Sequence, residues 1–172
     1  MESLFLSTRV IGKIKKNLEK LAKALNVRLK LDGNTLSIDG NALDEYNALN
    51  MIKAIFAGFD LKTALLLQNE ECMIDEIKIK YYVKPSRLKQ VKARVIGAEG
   101  RALKTISLLS ECFLKLSDNS VFIIGNVEDV KIARNALISL IKGSRHSNVY
   151  AKLEHKPHFG EDLALREEKK KG

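Results

Sequence analysis

The sequence predicts an α+β fold in which two similar units follow one another, each with a three-stranded sheet packed on helices. Two observations predict it. The chain repeats itself, because residues 112–116 (CFLKL) and 121–126 (VFIIGN) match residues 27–31 (VRLKL) and 36–41 (LSIDGN) at a constant offset of 85 (112 − 27). Each copy also combines short apolar runs of strand length with longer apolar runs of helical period. We therefore expect the element order β-α-α-β-β-α twice.

Length and composition fit two small domains. The chain has 172 residues, of which 45% are hydrophobic, enough to bury a core in each unit. We place the first domain at residues 1–70, the second at residues 71–154, and a charged, flexible tail at residues 155–172. The chain contains no apolar run of 18 residues or more and shows no export signal at its start, so we expect an intracellular protein with no membrane partner.

The elements follow from the apolar pattern. A half-buried strand opens the second unit, with Ile77, Ile79 and Tyr81 alternating with polar residues. An amphipathic helix then precedes the two matched runs, which are separated by turn-forming residues and predict a pair of strands. This helix carries apolar residues at helical spacing in both units: Leu18, Leu21 and Leu25; Leu103, Ile106 and Leu109.

A last helix closes each unit after a polar cap. Asn41 with Asp44, and Asn126 with Asp129, have the spacing of a capping box. The predicted core faces of the two helices are Leu43, Leu49, Ile52 and Phe56 in the first unit, and Val130, Ala133, Leu137 and Ile141 in the second.

Two glycines three residues apart, Gly97 and Gly100, separate two predicted helices in the second unit. Without Cβ atoms, such a loop can lie against a sugar-phosphate backbone, while the next helix offers free N–H groups and its positive dipole end. Together with the element order, this loop is typical of a type I KH domain, which clamps about four nucleotides. The predicted RNA-binding residues are Lys89, Lys92, Arg94, Gly97, Ala98, Glu99, Gly100, Arg101 and Lys104.

Charge supports the same interpretation. The chain has 30 Lys and Arg against 21 Asp and Glu, a formal net charge of +9, which favours a polyanionic partner. The alternative is that the two glycines only make a tight turn and the lysines form a solvated face. The basic cluster and the element order favour RNA binding. Ala98 and Glu99 stand where basic residues are common in such loops, which predicts a weaker phosphate contact.

In the first unit the glycine loop is incomplete. Gly12 is followed by Lys13, Ile14 and Lys15, so that one glycine is missing in either register. We expect this first KH domain to serve packing, protein contact or diffuse electrostatics. Its lysines have two interpretations that the sequence leaves open, phosphate contact and a merely solvated helix face.

The second half resembles a known family, the ribosome-assembly KH proteins of the partner-of-Nob (Dim-type) family and their archaeal relatives. The resemblance lies in the run Arg94–Arg101, in the strand end Ile123–Gly125 and in Ala133 with Arg134. A tail motif is more specific: Gly143, His146, Val149 and Tyr150. In the first half, Gly58, Phe59, Ala64 and Leu65 match a further family segment, so that the resemblance extends from Leu4 to Glu154.

The resemblance implies an assembly factor of the small ribosomal subunit that binds pre-rRNA near its 3′ end and supports a Nob-type endonuclease. It implies the nucleolus and cytoplasmic pre-ribosomes if the source is eukaryotic, and the cytoplasm if it is archaeal. The incomplete first loop resembles the eukaryotic members. The sister Krr family is the alternative, with a small-subunit processome scaffold that acts mainly through protein contacts.

The sequence contains no recognisable catalytic motif. The three histidines, His146, His155 and His158, lack the companions of a zinc site, and Cys72 and Cys112 have no CxxC spacing. We expect His146 to cap or pack beside the last helix and both cysteines to be buried or half-buried. We therefore expect a non-enzyme without cofactor or metal.

Overall fold

The computed structural model describes residues 2–155 and contains two three-stranded antiparallel sheets, which confirms the α+β fold class. The first sheet has the strand order β1-β3-β2, with β1 at Glu2–Phe5, β2 at Arg28–Asp32 and β3 at Thr35–Asp39. Its helices are α1 at Thr8–Leu25, α2 at Ala42–Ala57 and the short α3 at Leu61–Leu65.

The second sheet has the equivalent order β4-β6-β5, with β4 at Cys72–Lys78, β5 at Phe113–Ser117 and β6 at Ser120–Asn126. Its helices are α4 at Leu88–Ile96, α5 at Arg101–Ser110, α6 at Val127–Ile141 and α7 at His146–Glu154. Within residues 2–155, none of the helices has the length and apolar character needed to span a bilayer. The tail that we predicted at residues 155–172 lies outside the described residues, apart from His155.

The internal repeat extends to the backbone conformation. Three pairs of residues 85 positions apart share a positive φ: Asn26 and Glu111, Gly33 and Asp118, Gly58 and Gly143. Each pair ends a helix or turns a hairpin, positions at which the left-handed conformation closes the preceding element. The strands β2 and β3 lie 85 positions before β5 and β6, so the sequence match reflects a structural match.

A close packing contact also recurs in both units. A Cβ atom at Gly125 would come within 2.8 Å of Cys112 Sγ, and one at Gly40 within 2.9 Å of Val27 Cγ1. These glycines lie at the ends of β6 and β3, beside the residue that leads into the neighbouring strand. Because glycine has no side chain, the end of each strand can lie against Cys112 or Val27 before the chain enters the next helix.

The first unit lacks the predicted helix-loop-helix. Helix α1 runs without interruption through positions 12–15, which correspond to the glycine loop of the second unit. Only residues 6 and 7 separate β1 from α1, whereas residues 79–100 separate β4 from α5. Ile14 explains the continuity, because it is fully buried at the position where the loop would open. One interior glycine weakens a helix by only about 0.5–1 kcal/mol, too little to break it.

Three smaller predictions are wrong in detail. Strand β4 ends at Lys78, and Ile79–Tyr81 forms a 3-10 turn because Ile79 N–H donates to Asn119 O (3.0 Å) across the hairpin end. Leu43 is 60% exposed and lies outside the core face of α2, which Ala48, Met51, Ile52 and Ile55 form instead. Asn126 caps α6 as predicted but accepts from Glu128 N–H.

The cap of α2 is confirmed, because Asn41 Oδ1 accepts from Asp44 N–H (2.9 Å). Of the other predicted helix positions, eight are buried: Leu21, Leu25, Ile52, Ile106, Val130, Ala133, Leu137 and Ile141. The remaining five are half-buried and pack against the two cores: Leu18, Leu49, Phe56, Leu103 and Leu109. Helix α2 buries residues on more than one face, which is typical of a helix covered from two sides.

The two units pack on each other through the second sheet. On β6, Val121 and Ile123 face the helices of the second unit, while Phe122 and Ile124 join the core of the first. Helix α2 covers this outer face, and Lys53 reaches from it to Glu76 on β4 (3.4 Å). On the inner face, Arg134 of α6 pairs with Asp75 of β4 (2.6 Å), and this hydrogen bond raises the pKa of the guanidinium. The second sheet is therefore covered on both sides.

Candidate nucleic-acid interface

The glycine loop joins α4 to α5 with three residues in the left-handed region: Gly97 (φ +74°), Glu99 (φ +55°) and Gly100 (φ +74°). Gly97 N–H donates to Ala93 O (2.9 Å) and closes α4, and Gly100 N–H donates to Gly97 O (3.3 Å). None of these three positions has a positive-φ counterpart 85 residues earlier. The loop is therefore the feature that distinguishes the second unit from the first.

The two glycines serve different purposes. A Cβ at Gly97 would lie 2.6 Å from Ala102 Cβ and 2.8 Å from Ala102 N, so this glycine allows α4 and α5 to meet. A Cβ at Gly100 would meet nothing within 4 Å, so this glycine faces open space. Gly97 is needed by the fold, while Gly100 leaves the loop surface accessible at the start of α5.

The predicted cations differ in their availability. Lys89 and Lys104 are exposed, whereas Lys92 Nζ donates to Asn119 Oδ1 (3.3 Å) in the β5–β6 turn. Arg101 pairs with Glu99 (3.1 Å) through side chains that are 75% and 80% exposed. An ion pair this exposed is weak, so a phosphate can compete for Arg101. Of the predicted cations, the structure thus leaves Lys89, Arg101 and Lys104 exposed on the two helices that flank the loop.

Arg94 has a different environment. Its guanidinium donates to Gly143 O (3.1 Å) and to Ser144 O at the connection between α6 and α7, while its own carbonyl accepts a contact from His146 Nε2 at 3.0 Å. His146 is the first residue of α7, and its ring contacts that of Tyr150 edge-on, with ring centroids 6.1 Å apart. These contacts hold the C-terminal end of α4, three residues before the loop, against α7.

This arrangement explains the tail motif of Gly143, His146, Val149 and Tyr150. Gly143 has φ +115° and turns the chain after α6, and Val149 is buried at 1% exposure. The motif therefore fixes the position of α4, and through α4 the position of the glycine loop. The geometry favours a positioning role for Arg94 over direct phosphate contact.

An exposed surface, which we call the groove, leads from the loop along α5 to the edge strand β5. Arg101, Lys104 and Leu108 lie on the exposed face of α5, and Leu108 is 79% exposed. Strand β5 is an edge strand, so one row of its backbone groups is free for a ligand. Phe113, at its start, is half exposed. Sequence reasoning missed Leu108 and Phe113, although Leu108 falls off the core face of a helix that was correctly predicted.

The groove ends against the first unit. A cavity of about 290 Å³ lies between α5, β5 and the end of α2, and eight residues line it: Gly58, Phe59, Asp60, Thr63, Ser107, Phe113, Leu114 and Lys115. Asp60 caps α3 by accepting from Thr63 N–H (2.9 Å), and hydrogen bonding from the Thr63 side chain, followed by this N–H, lowers the pKa of the Asp60 carboxyl. The end of the groove thus carries aromatic, cationic and anionic side chains together.

The cysteines lie where the sequence predicts. Cys112 is buried and Cys72 is half-buried, and burial followed by the nearby Glu71 raises the pKa of the Cys72 thiol. A raised pKa keeps a thiol protonated and unreactive.

Comparison with known proteins supports the assignment of the second unit. Residues 73–158 match the model of a eukaryotic type KH domain (KH-domain type I), defined for the second KH domain of PNO1 proteins. A KH domain-containing protein of Methanocaldococcus jannaschii is 33% identical over 150 residues, which cover 83% of this chain and 65% of that protein. The pre-rRNA-processing protein PNO1 of Coccidioides immitis is 33% identical over 135 residues, 76% of this chain and 51% of that one.

A solved structure is similar over most of the chain. It belongs to a complex of a/eIF2α, aDim2p and rRNA from Pyrococcus horikoshii, and the matching chain has a TM-score of 0.80 at 25% identity, covering 89% of this chain and 91% of that one. The chain spans between half and two thirds of the length of the two curated relatives.

The different roles of the glycines can be tested by alanine substitution. We expect Gly97→Ala to lower the free energy of unfolding by about 2–4 kcal/mol, because it adds a clash with Ala102 to the cost of a left-handed alanine. Gly12→Ala is the matched control, and we expect it to raise stability by about 0.5–1 kcal/mol, since Gly12 lies in an exposed helix interior. Urea unfolding measures both. A destabilising Gly12→Ala would contradict the continuous α1.

The role of Arg94 can be tested with Arg94→Met, which keeps much of the side-chain bulk and removes the donors. We expect a loss of about 1–3 kcal/mol in unfolding free energy, the range for hydrogen bonds to a charged group. Lys89→Met, on the exposed side of α4, is the control and should change stability by less than about 0.5 kcal/mol. If Arg94→Met folds as stably as the parent but binds RNA with a shallower salt dependence, Arg94 is a phosphate contact instead.

Proposed function

The chain belongs to the PNO1 and Dim2 family of type I KH-domain proteins, and we propose that it is an RNA-binding assembly factor of the small ribosomal subunit. In this proposal it grips single-stranded pre-rRNA near the 3′ end with the loop of Gly97 to Gly100. It supports the nuclease that matures this end and has no catalytic activity of its own. Relatives named as pre-rRNA-processing proteins, and the similar chain solved in a complex with rRNA, support the assignment.

The observation that carries the proposal is the open backbone surface at Gly100. No side chain or neighbouring group within 4 Å covers the position where its Cβ would lie, and α5 begins directly behind it. A phosphate can therefore approach the first N–H groups of α5, where the helix dipole favours negative charge. Lys89 and Lys104 are exposed on the helices that flank the loop. Arg101 breaks its exposed ion pair with Glu99 and pairs with the phosphate instead.

From the loop, the bases are directed along α5 towards the first unit. Leu108 and Phe113 offer apolar and aromatic surface for the base faces, while the free edge of β5 offers backbone donors and acceptors for their edges. Arg101 and Lys104 stay beside the sugar-phosphate chain. This division places the sequence-independent contacts at the loop and the base contacts in the groove.

We propose that residues 1–70 form a degenerate first KH domain and residues 71–154 the RNA-gripping second one. The first domain has the sheet order of the second, but α1 replaces its helix-loop-helix and leaves no loop for phosphate. Its α2 covers the second sheet and stabilises the groove from behind. The exposed lysines of α1 and the open face of the first sheet remain available for the partner nuclease or for diffuse contact with rRNA.

The phosphate clamp can be tested with the pair Gly100→Asp and Gly100→Asn. Both residues tolerate the left-handed conformation better than other side chains, and the space is open, so both variants should fold. We expect Gly100→Asp to weaken binding of single-stranded RNA about tenfold or more, because a carboxylate then faces the phosphate, and Gly100→Asn to weaken it less. Filter binding at several salt concentrations is the measurement. Equal affinity of Gly100→Asp and the parent would exclude the clamp.

The ribosomal target can be tested by crosslinking the protein to RNA in cells and mapping the sites. We expect crosslinks clustered near the 3′ end of small-subunit pre-rRNA, and we expect the Gly100→Asp variant to lose them. Sites dispersed over messenger RNAs would indicate a general KH regulator and contradict the assembly role. Retention of the rRNA sites by Gly100→Asp would mean that protein partners, and not the loop, bring the chain to the ribosome.

A further inference from the structure

An exposed tyrosine lies beside two lysines in the 3-10 turn that precedes α4 in the chain. Tyr81 is 70% exposed, and the Nζ atoms of Lys78 and Lys80 lie 5.8 and 5.5 Å from its ring centroid. The 3-10 turn that carries it is fixed, because Ile79 is fully buried and Tyr82 N–H donates to Ile79 O (3.0 Å). The protein thus presents an aromatic ring to solvent on a rigid turn, surrounded by positive charge.

A segment of the chain without acidic residues connects Tyr81 to the glycine loop. Residues 78–98 contain no Asp or Glu and seven Lys and Arg, of which Arg94 donates to the Gly143 and Ser144 carbonyls. The other six are Lys78, Lys80, Lys84, Arg87, Lys89 and Lys92. Asn119 in the β5–β6 turn links the two ends, since it accepts from Ile79 N–H (3.0 Å) and from Lys92 Nζ (3.3 Å). From Lys92 to Gly97, α4 rises by only about 7.5 Å.

The acids near this surface are few or engaged. Glu76 on β4 accepts from Ser120 Oγ (2.8 Å) and pairs with Lys53. Asp118 in the β5–β6 turn adds one exposed negative charge beside Asn119. The local balance remains strongly positive, which favours a polyanion at this position.

We propose that Tyr81, with Lys78 and Lys80, is a second contact for single-stranded RNA, in which a base stacks on the tyrosine ring and the lysines bind the adjoining phosphates. The proposal rests on the proposed function and extends the RNA path beyond the nucleotides held at the glycine loop. Stacking of a base on an exposed aromatic ring is stronger than the contact of an exposed lysine with the same ring. An arriving base therefore displaces the lysines, which turn towards phosphate.

The test compares two lengths of RNA. An oligonucleotide of about four nucleotides fills the KH groove alone, while one of about ten nucleotides also reaches Tyr81. We expect Tyr81→Ala to weaken binding of the longer RNA about tenfold and to leave binding of the shorter one unchanged. Tyr81→Phe, which keeps the ring, should bind like the parent. Tyr46→Ala is the matched control, since Tyr46 is 63% exposed on α2 and lies outside the basic segment.

Two further measurements separate stacking from a change in fold. Because Tyr81 is exposed, its replacement should leave the urea unfolding midpoint unchanged. RNA that carries 5-iodouracil beyond the fourth nucleotide should crosslink to Tyr81 under ultraviolet light, with the modified peptide identified by mass spectrometry. Replacing Lys78 and Lys80 by Gln should reduce the slope of log affinity against log salt by about 1.4 for the longer RNA.

The outcomes distinguish this proposal from the clamp. If Tyr81→Ala binds the longer RNA as tightly as the parent, the second contact is wrong and the clamp at the glycine loop still stands. If Gly100→Asp keeps full affinity for the shorter RNA, the clamp is wrong, and a remaining effect of Tyr81→Ala on the longer RNA would show that RNA binds through the Tyr81 surface alone. If Tyr81→Ala weakens binding of the shorter and the longer RNA equally, Tyr81 does not act beyond the first four nucleotides, and the proposed path is wrong.

Discussion

Strand β6 is buried on both faces, and the arrangement of the whole chain depends on this burial. Val121 and Ile123 enter the core beneath α5 and α6, and Phe122 and Ile124 enter the core built by α1, α2 and the first sheet. A central strand with two apolar faces cannot tolerate water on either side. The first unit is therefore needed to cover the second sheet, whatever else it does, and the second unit in turn completes the first core with Ile124.

A second constraint transmits this packing to the functional surface. The loop sits between α4 and α5, which meet at Gly97 and Ala102 with no room for a side chain. Arg94 and His146 then fasten the end of α4 to the α6–α7 connection. Because α6 packs on the second sheet, the loop is held by a continuous set of contacts that leads back to β6. The loop can present its backbone to a ligand without having to be ordered by it.

The divergence of the two units follows from a few side chains. Both have the same sheet order and the same helix-ending glycines, Gly58 and Gly143. In the first, the buried Ile14 keeps α1 continuous, and one face of the sheet stays open. In the second, the glycine pair opens a loop, and the acid-free segment 78–98 supplies its positive charge. One unit thus carries the proposed RNA contacts, while the other stabilises it and keeps surface free for a partner.

The repeat, most strand positions, the α2 cap and the glycine loop could be predicted from the sequence, since they depend on residues close together in the chain: Asp44 N–H donates to Asn41, and Gly97 N–H donates to Ala93 O. The inward position of Arg94 follows from the tertiary structure, because its partner Ser144 lies 50 residues away. The tertiary structure also decided that α1 is continuous and that Leu108, Phe113 and Tyr81 are exposed. Whether an apolar side chain is buried depends on which elements cover it, and the layering of the two units sets that cover. Apolar periodicity predicts the core face of one element, but it does not predict which other elements cover the apolar residues outside that face.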